Sequence, residues 1–275
     1  MEVILAESLG FCYGVKRAIK LARENAAPDG TACTLGPIIH NPQMVARLAA
    51  EGVGNVSSLE EMTSGTIIIR SHGVGPQVYD EAEKMGLSLV DATCPHVKKA
   101  QMAANELAQD GYEVVIVGEK RHPEVRSIYE WSGHKAMVVE TEAEASALQP
   151  CGRLGIVAQT TFSGEKFKSI VMRLLDKSND VRIVRTICTA TDQRQAAAVA
   201  LAGQVQLMLV IGGKNSANTT RLAQLCAEKC KTYHIETAAE LQDEWFDKIE
   251  KIGITAGAST PDWIIKEVYK KCQKI

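Results

Sequence analysis

Residues 87–108 read LSLVDATCPHVKKAQMAANELA. An apolar run, Leu87 to Val90, is followed by a short polar turn, a cysteine, Cys94, and then a helix-forming stretch of more than a dozen residues. The same order recurs at residues 3–22, VILAESLGFCYGVKRAIKLA, and at residues 181–202, VRIVRTICTATDQRQAAAVALA. Cys12, Cys94 and Cys188 therefore hold equivalent places in three copies of one pattern and cut the chain into near-thirds. Each is placed where a strand hands over to a helix N-terminus. There, unpaired N–H groups and the positive end of the helix dipole favour a thiolate.

Outward from these three segments, β-branched apolar runs alternate with amphipathic helical stretches, which is the signature of α/β units on parallel sheets. Strands are predicted at Val3 to Ala6, Ile67 to Arg70, Leu87 to Val90, Val114 to Val117, Leu154 to Ala158, Val181 to Val184, Leu207 to Ile211 and Ile252 to Thr255. The expected fold is three similar α/β units with small, mainly parallel sheets in pseudo-threefold array around a central cavity. Their limits are residues 14–95, 96–190 and 191–275, the last completed by the N-terminal strand in residues 1–13.

The bulk composition narrows the function classes. With 275 residues, 45% of them hydrophobic, the chain can bury a sizeable core. Its 31 Lys+Arg nearly cancel 33 Asp+Glu, so no whole-surface field marks a nucleic-acid or polybasic membrane binder, and any anion site must be local. The N-terminus lacks the basic start and apolar run of a secretory signal, and no run of 18 apolar residues occurs, so a cytoplasmic protein is expected. Eight cysteines without a CxxC pair exclude the zinc-ribbon and compact ferredoxin spacings. A metal here would draw its ligands from far apart in sequence.

Six further strand ends open into polar loops. They are LGPIIHN with His40, IIIRSHGVG with His72, VVIVGEKRHPE with His122 and Glu124, GIVAQTTFS with Thr160, LVIGGKNSAN with Ser216 and Asn218, and GITAGASTPD with Ser259. In open parallel sheets the loops at the carboxyl ends of strands form the ligand crevice. Histidines acting as N–H donors suit a phosphate, and helix N-termini after Ser216 and Ser259 would add backbone donors. The plain alternative is that Ser216 and Asn218 only cap a helix and that the histidines are surface residues. No GxxxxGK[ST] string is present, so this is not a Walker loop. Glu124, beside a histidine in HPE, is either a solvated charge or a proton donor whose pKa a dry cavity would raise.

For Cys33, Cys151 and Cys272 ordinary packing suffices, and Cys226 and Cys230, a CxxxC pair on a helix, are also read as packing. Packing does not explain three cysteines at equivalent places. From the residues alone they suit either zinc completed by a fourth ligand or an iron–sulfur cluster with one open iron.

The strings FCYGV, RSHGV, DATCP, HPEV, AQTT, KNSAN and GAS-PD occur in that order over almost the whole chain. Together they closely resemble the 4-hydroxy-3-methylbut-2-enyl diphosphate reductase family of the methylerythritol phosphate isoprenoid pathway. The resemblance implies a trefoil of three α/β domains around one [4Fe–4S] cluster held by Cys12, Cys94 and Cys188. It implies diphosphate binding by His40, His72, His122, Ser216, Asn218 and Ser259, substrate contact by Thr160 as well, and catalytic roles for Glu124, Thr160 and His122, with Thr160 and Glu124 ordering and supplying protons near the substrate's C4 hydroxyl. The implied reaction is a two-electron, two-proton removal of water giving isopentenyl and dimethylallyl diphosphate, with single electrons from a ferredoxin or flavodoxin. Departures from the commoner family pattern are Arg121 and Ser127 around HPEV, Ala217 in KNSAN, and TATDQRQ after Cys188. Two other classes compete on the residues alone: a zinc hydrolase or lyase with Glu124 as base, and a non-catalytic diphosphate-binding protein.

Overall fold

The structure, a computed structural model, describes residues 1–274. The chain opens with β1 (Glu2–Leu5) and α1 (Tyr13–Glu24). It continues through β2 (Ala32–Leu35), α2 (Pro42–Ala50), β3 (Gly54–Val56), β4 (Thr66–Ile69), α3 (Pro76–Lys84) and β5 (Ser88–Asp91). Next come α4 (Pro95–Gln109), β6 (Glu113–Val117), α5 (Pro123–Trp131), β7 (Met137–Val139), α6 (Glu142–Ala147), β8 (Arg153–Ala158), α7 (Gly164–Leu174) and β9 (Asp180–Ile183). The last third holds α8 (Thr189–Ala202), β10 (Leu207–Ile211), α9 (Ala217–Ala227), β11 (Lys231–Ile235), β12 (Lys251–Ala256) and α10 (Asp262–Cys272).

The strands form three four-stranded sheets, ordered β3-β2-β4-β5, β7-β6-β8-β9 and β11-β10-β12-β1, and every ladder is parallel. These three orders are one topology. The central pairs run in matching register, with Ala32 opposite Thr66, Glu113 opposite Leu154 and Leu207 opposite Ile252. The expected α/β class with three similar parallel sheets is therefore present. All eight anticipated strands form, their ends within one residue of expectation. A ninth strand, β2, ends in the LGPIIHN loop expected to follow a strand; β3, β7 and β11 were not anticipated, and all three lie at sheet edges, where GNV and KTYHI are too short or too polar to give a strand pattern.

The chain groups into two compact units. Unit 1 comprises Met1–Lys16, Ile39–Ala46 and Thr189 onward and carries sheet β11-β10-β12-β1; unit 2 comprises Arg17–Ile38 and Arg47–Cys188 and carries the other two sheets. In unit 2, alternate residues of β6 and β8 serve opposite faces. Val115, Val117, Leu154 and Ile156 meet Phe167, Ile170 and Leu174 of α7, while Val114, Ile116 and Val157 meet Ala104 and Leu107 of α4 and Ile128 of α5. Covering both faces is what makes these strands read as unbroken apolar runs. Unit 1 repeats the scheme. Leu207, Leu209 and Ile254 pack on α10, and Met208 and Val210 on α8 and α9.

The repeat reaches single positions. Gly155 in RLGIVA and Gly253 in KIGITA both lie third in a central strand. A Cβ on Gly155 would stand 3.0 Å from Leu107, and one on Gly253 only 2.3 Å from Met208 Sδ, so each glycine admits a close-packed side chain.

Candidate active site

The six central strands β2, β4, β6, β8, β10 and β12 are followed by the six polar loops, and the edge strands β1, β5 and β9 by the three cysteines. Cys12, Cys94 and Cys188 immediately precede α1, α4 and α8. All nine chemical positions thus lie at carboxyl ends of parallel strands, where open α/β sheets bind ligands.

In unit 2 the acid stands out. Glu124, in the first turn of α5, is 2% exposed and is the only buried carboxylate among the described residues. Its two oxygens are held by one residue: Thr160 N–H donates to Oε1 at 2.5 Å and Thr160 Oγ1 donates to Oε2 at 2.9 Å. Burial pushes the carboxyl up from its usual 4.5 to about 7; the two Thr160 bonds oppose this, and the nearby Glu119 charge adds to it. His122 is the N-cap of α5, where its Nδ1 accepts from Glu124 N–H at 3.2 Å. That leaves Nε2 as the N–H position of the neutral ring. Its ring meets that of His72 edge-on, with centroids 5.6 Å apart.

The cysteine backbones of unit 2 are tied to these loops. Cys94 N–H donates to Ser71 O at 3.0 Å, beside His72, and Cys188 N–H donates to Thr160 O at 2.9 Å. Arg17 of α1 donates to Thr93 O at 3.1 Å and to Asp91 O at 3.2 Å, fixing the strand end before Cys94. A buried relay missed in the sequence completes the frame. Ser127 Oγ lies 2.8 Å from Glu124 O and 3.1 Å from His72 O, and it accepts from Gln101 Nε2 at 3.1 Å. Ser127 is 1% exposed and Gln101 is fully buried. The available signal was a lone glutamine on the buried stripe of α4, between Val97, Ala100 and Ala104.

Unit 1 builds a different surface. Ser216 is the N-cap of α9 and accepts from Thr219 Oγ1 at 3.1 Å. Asn218 is 8% exposed and its Oδ1 is buried without a hydrogen-bond partner among the described residues. Ser259, also 8% exposed, donates to His40 O at 3.2 Å, and Cys12 N–H donates to the neighbouring Ala258 O at 3.2 Å. A Cβ on Gly213 would stand 3.0 Å from His40 O, so the turn after β10 lies against the same loop. Lys214 takes no part in this surface: it is exposed and paired with Glu240 at 2.8 Å. The unit thus offers hydroxyls, an amide and helix N-termini, a donor set for an anion.

No disulfide joins the eight cysteines. Cys226 and Cys272 are buried, and burial pushes their thiols up to about 12 and about 11, so these two are packing residues as expected. Cys12, Cys94 and Cys188 are only partly buried. No helix among the described residues is long and apolar enough to cross a membrane.

The LytB protein family matches residues 3–273. The 4-hydroxy-3-methylbut-2-enyl diphosphate reductases of Geobacter metallireducens and Trichlorobacter lovleyi are 51% and 50% identical over 276 residues, spanning 100% of this chain and 98% and 99% of theirs. A solved (E)-4-hydroxy-3-methyl-but-2-enyl diphosphate reductase, described as the terminal enzyme of the non-mevalonate pathway, aligns over 100% of both chains at 48% identity and TM-score 0.76. A Plasmodium falciparum reductase aligns over 99% of this chain and 87% of its own at 28% identity and TM-score 0.91. Sequence motifs, sheet topology and full-length likeness agree, and the chain belongs to the LytB protein family.

Proposed function

We propose that this chain performs the reaction named for its relatives, reductive removal of the hydroxyl of (E)-4-hydroxy-3-methylbut-2-enyl diphosphate to give isopentenyl and dimethylallyl diphosphate. The observation that carries the reading is Glu124, a buried carboxyl held on both oxygens by Thr160 and titrating at about 7. An acid of that pKa donates a proton efficiently near neutral pH. Glu124 delivers a proton to the departing hydroxyl so that it leaves as water, and Thr160 orients the carboxyl.

The three proposed units are 14–95, 96–190 and 191–275 with 1–13, and Cys12, Cys94 and Cys188 would hold one [4Fe–4S] cluster. The donor set fits: three partly buried thiols outside any disulfide, each at the start of a helix, where a thiolate is favoured. When bound, the cluster supplies single electrons, received from a ferredoxin or flavodoxin, and an open iron acting as a Lewis acid.

The diphosphate is held by His40, His72, His122, Ser216, Asn218 and Ser259. Neutral hydroxyl, amide and imidazole donors with two helix N-termini satisfy a dianion without a lysine loop. We place the enzyme in the cytoplasm. The test is an anaerobic assay of cluster-reconstituted protein with the hydroxybutenyl diphosphate and a chemical reductant. Brown protein releasing both C5 diphosphates supports the proposal; colourless, zinc-loaded protein with hydrolytic turnover sinks it.

A further inference from the structure

A second crevice lies wholly within unit 2, at the carboxyl ends of β2, β3 and β4, with a volume of about 340 Å³. It opens where the connections leaving β2 and β4 part in opposite directions, β2 leading to β3 on one side and β4 to β5 on the other. Such switch points are where open parallel sheets receive ligands. Its wall includes Gly36 after β2, Ser57 after β3, Arg70 after β4, Gln77 in the first turn of α3, and Arg126 and Glu130 of α5.

Arg70 decides the chemistry. Its Nε is buried and has no hydrogen-bond partner among the described residues, and the side chain forms no ion pair there. Glu130 is the one carboxylate sheltered in this wall, and Arg126 already holds it at 3.0 Å; the other lining carboxylates, Glu60 and Glu81, are exposed. Two guanidinium groups thus share a single sheltered carboxylate, which is bonded to only one of them. Gly36, at φ +70°, makes room for the other: a Cβ there would lie 2.7 Å from Arg70 Nη1. Burial lowers the proton affinity of the Arg70 guanidinium and Arg126 pushes the same way, while Glu130 partly opposes them; a bound anion would add to that opposition.

We propose that this crevice is a second anion site, which takes a small phosphate-bearing molecule through the Arg70 fork with Gln77 and Ser57 as additional donors. It is separate from the cradle of unit 1 and stands without it. The far side of its wall is the active-site frame. Gly73 follows His72, Pro123 lies between His122 and Glu124, and Ser127 bonds to both loops, so an occupant of the crevice sits directly behind the proposed proton donor.

Titration calorimetry of the cluster-containing protein with inorganic pyrophosphate tests this. Two sites are expected in the wild type. Arg70→Met should weaken one of them by at least tenfold, as expected for loss of a charge-assisted fork. Arg70→Lys should leave it intermediate, and Asn218→Ala should affect only the other. Ser57→Asp at an exposed position adds a negative charge without touching the core, so it reports even if Arg70→Met does not fold. Trp131, whose Nε1 donates to Val74 O at 2.9 Å on the crevice wall, offers a second readout by fluorescence. A single site abolished by Asn218→Ala and indifferent to Arg70→Lys and Ser57→Asp overturns the inference and leaves the cradle standing. A single site lost with Arg70 and indifferent to Asn218 does the reverse.

Discussion

After β10 and β12 the chain of unit 1 offers Ser216, Asn218 and Ser259, two hydroxyls and an amide; after β6 and β8 of unit 2 the matching loops offer His122, Glu124 and Thr160. The sheets beneath are one topology, yet the loops solve opposite electrostatic problems. Unit 1 presents neutral donors and helix N-termini, which accept negative charge without a buried ion. Unit 2 takes a carboxyl out of water and leaves it so poorly stabilised as an anion that it keeps its proton to about pH 7. A shared scaffold therefore fixes where chemical groups stand, and loop composition decides whether a position presents neutral donors or a buried acid.

Of the three cysteines proposed as cluster ligands, Cys12 belongs to unit 1 and Cys94 and Cys188 to unit 2. Replacing any of the three by Ser should abolish turnover and the visible absorption band together. A Cys94→Ser protein with an unchanged spectrum would remove that residue from the ligand set. The next largest effect should separate the units. Glu124→Gln is expected to lower kcat by about 10²–10⁴-fold while pyrophosphate affinity stays within about twofold. Asn218→Ala should do the converse, raising KM by about tenfold with kcat little changed, the size of one lost hydrogen bond to a charged ligand. Steady-state kinetics of both variants at one pH decide it, and parallel losses in kcat would erase the distinction drawn between the loops.

Titration sharpens the same contrast. Glu124 works as a donor only when protonated, so kcat should be level below pH 7 and fall about tenfold per unit above it, a limb missing from Glu124→Gln. Stability follows the same sign. The folded value of about 7 exceeds the ordinary 4.5, so the stability from the neutral buried carboxyl is complete below 4.5 and is lost as pH rises through 7. The loss is on the order of 3 kcal/mol. Thermal unfolding of Glu124→Gln should therefore match the wild type at pH 5 and exceed it at pH 8.

Much of this contrast is legible in the residues. The triplicated strand–cysteine–helix pattern gives the three sheets because parallel strands covered on both faces must be apolar throughout, and six polar loops stand out against them. The edge strands β3 and β11 escape notice since half their surface lies outside the core and their sequences follow neither period. Glu124 is visible as a carboxylate beside a histidine, but not as a buried one, because burial depends on Thr160 arriving from a loop 36 residues away. The Arg70 crevice is hidden for the same reason: nothing local in IIIRSHGVG says whether that arginine meets a carboxylate.

The smallest effect concerns the relay that binds the two loops of unit 2. Ser127 has one proton for two acceptors, Glu124 O at 2.8 Å and His72 O at 3.1 Å, and it receives one from Gln101. Ser127→Ala removes the hydroxyl and leaves the Gln101 amide with only the long contact to Val74 O at 3.5 Å. A buried donor so deprived costs about 1–3 kcal/mol, which denaturant unfolding can measure. Because the hydroxyl holds main chain and not the reacting carboxyl, kcat should fall only a few-fold, and the apparent pKa near 7 should persist. If that pKa moves by a unit or more in Ser127→Ala, the carboxyl owes its position to the relay and not to Thr160 alone, and the acid half of the comparison must then include α4.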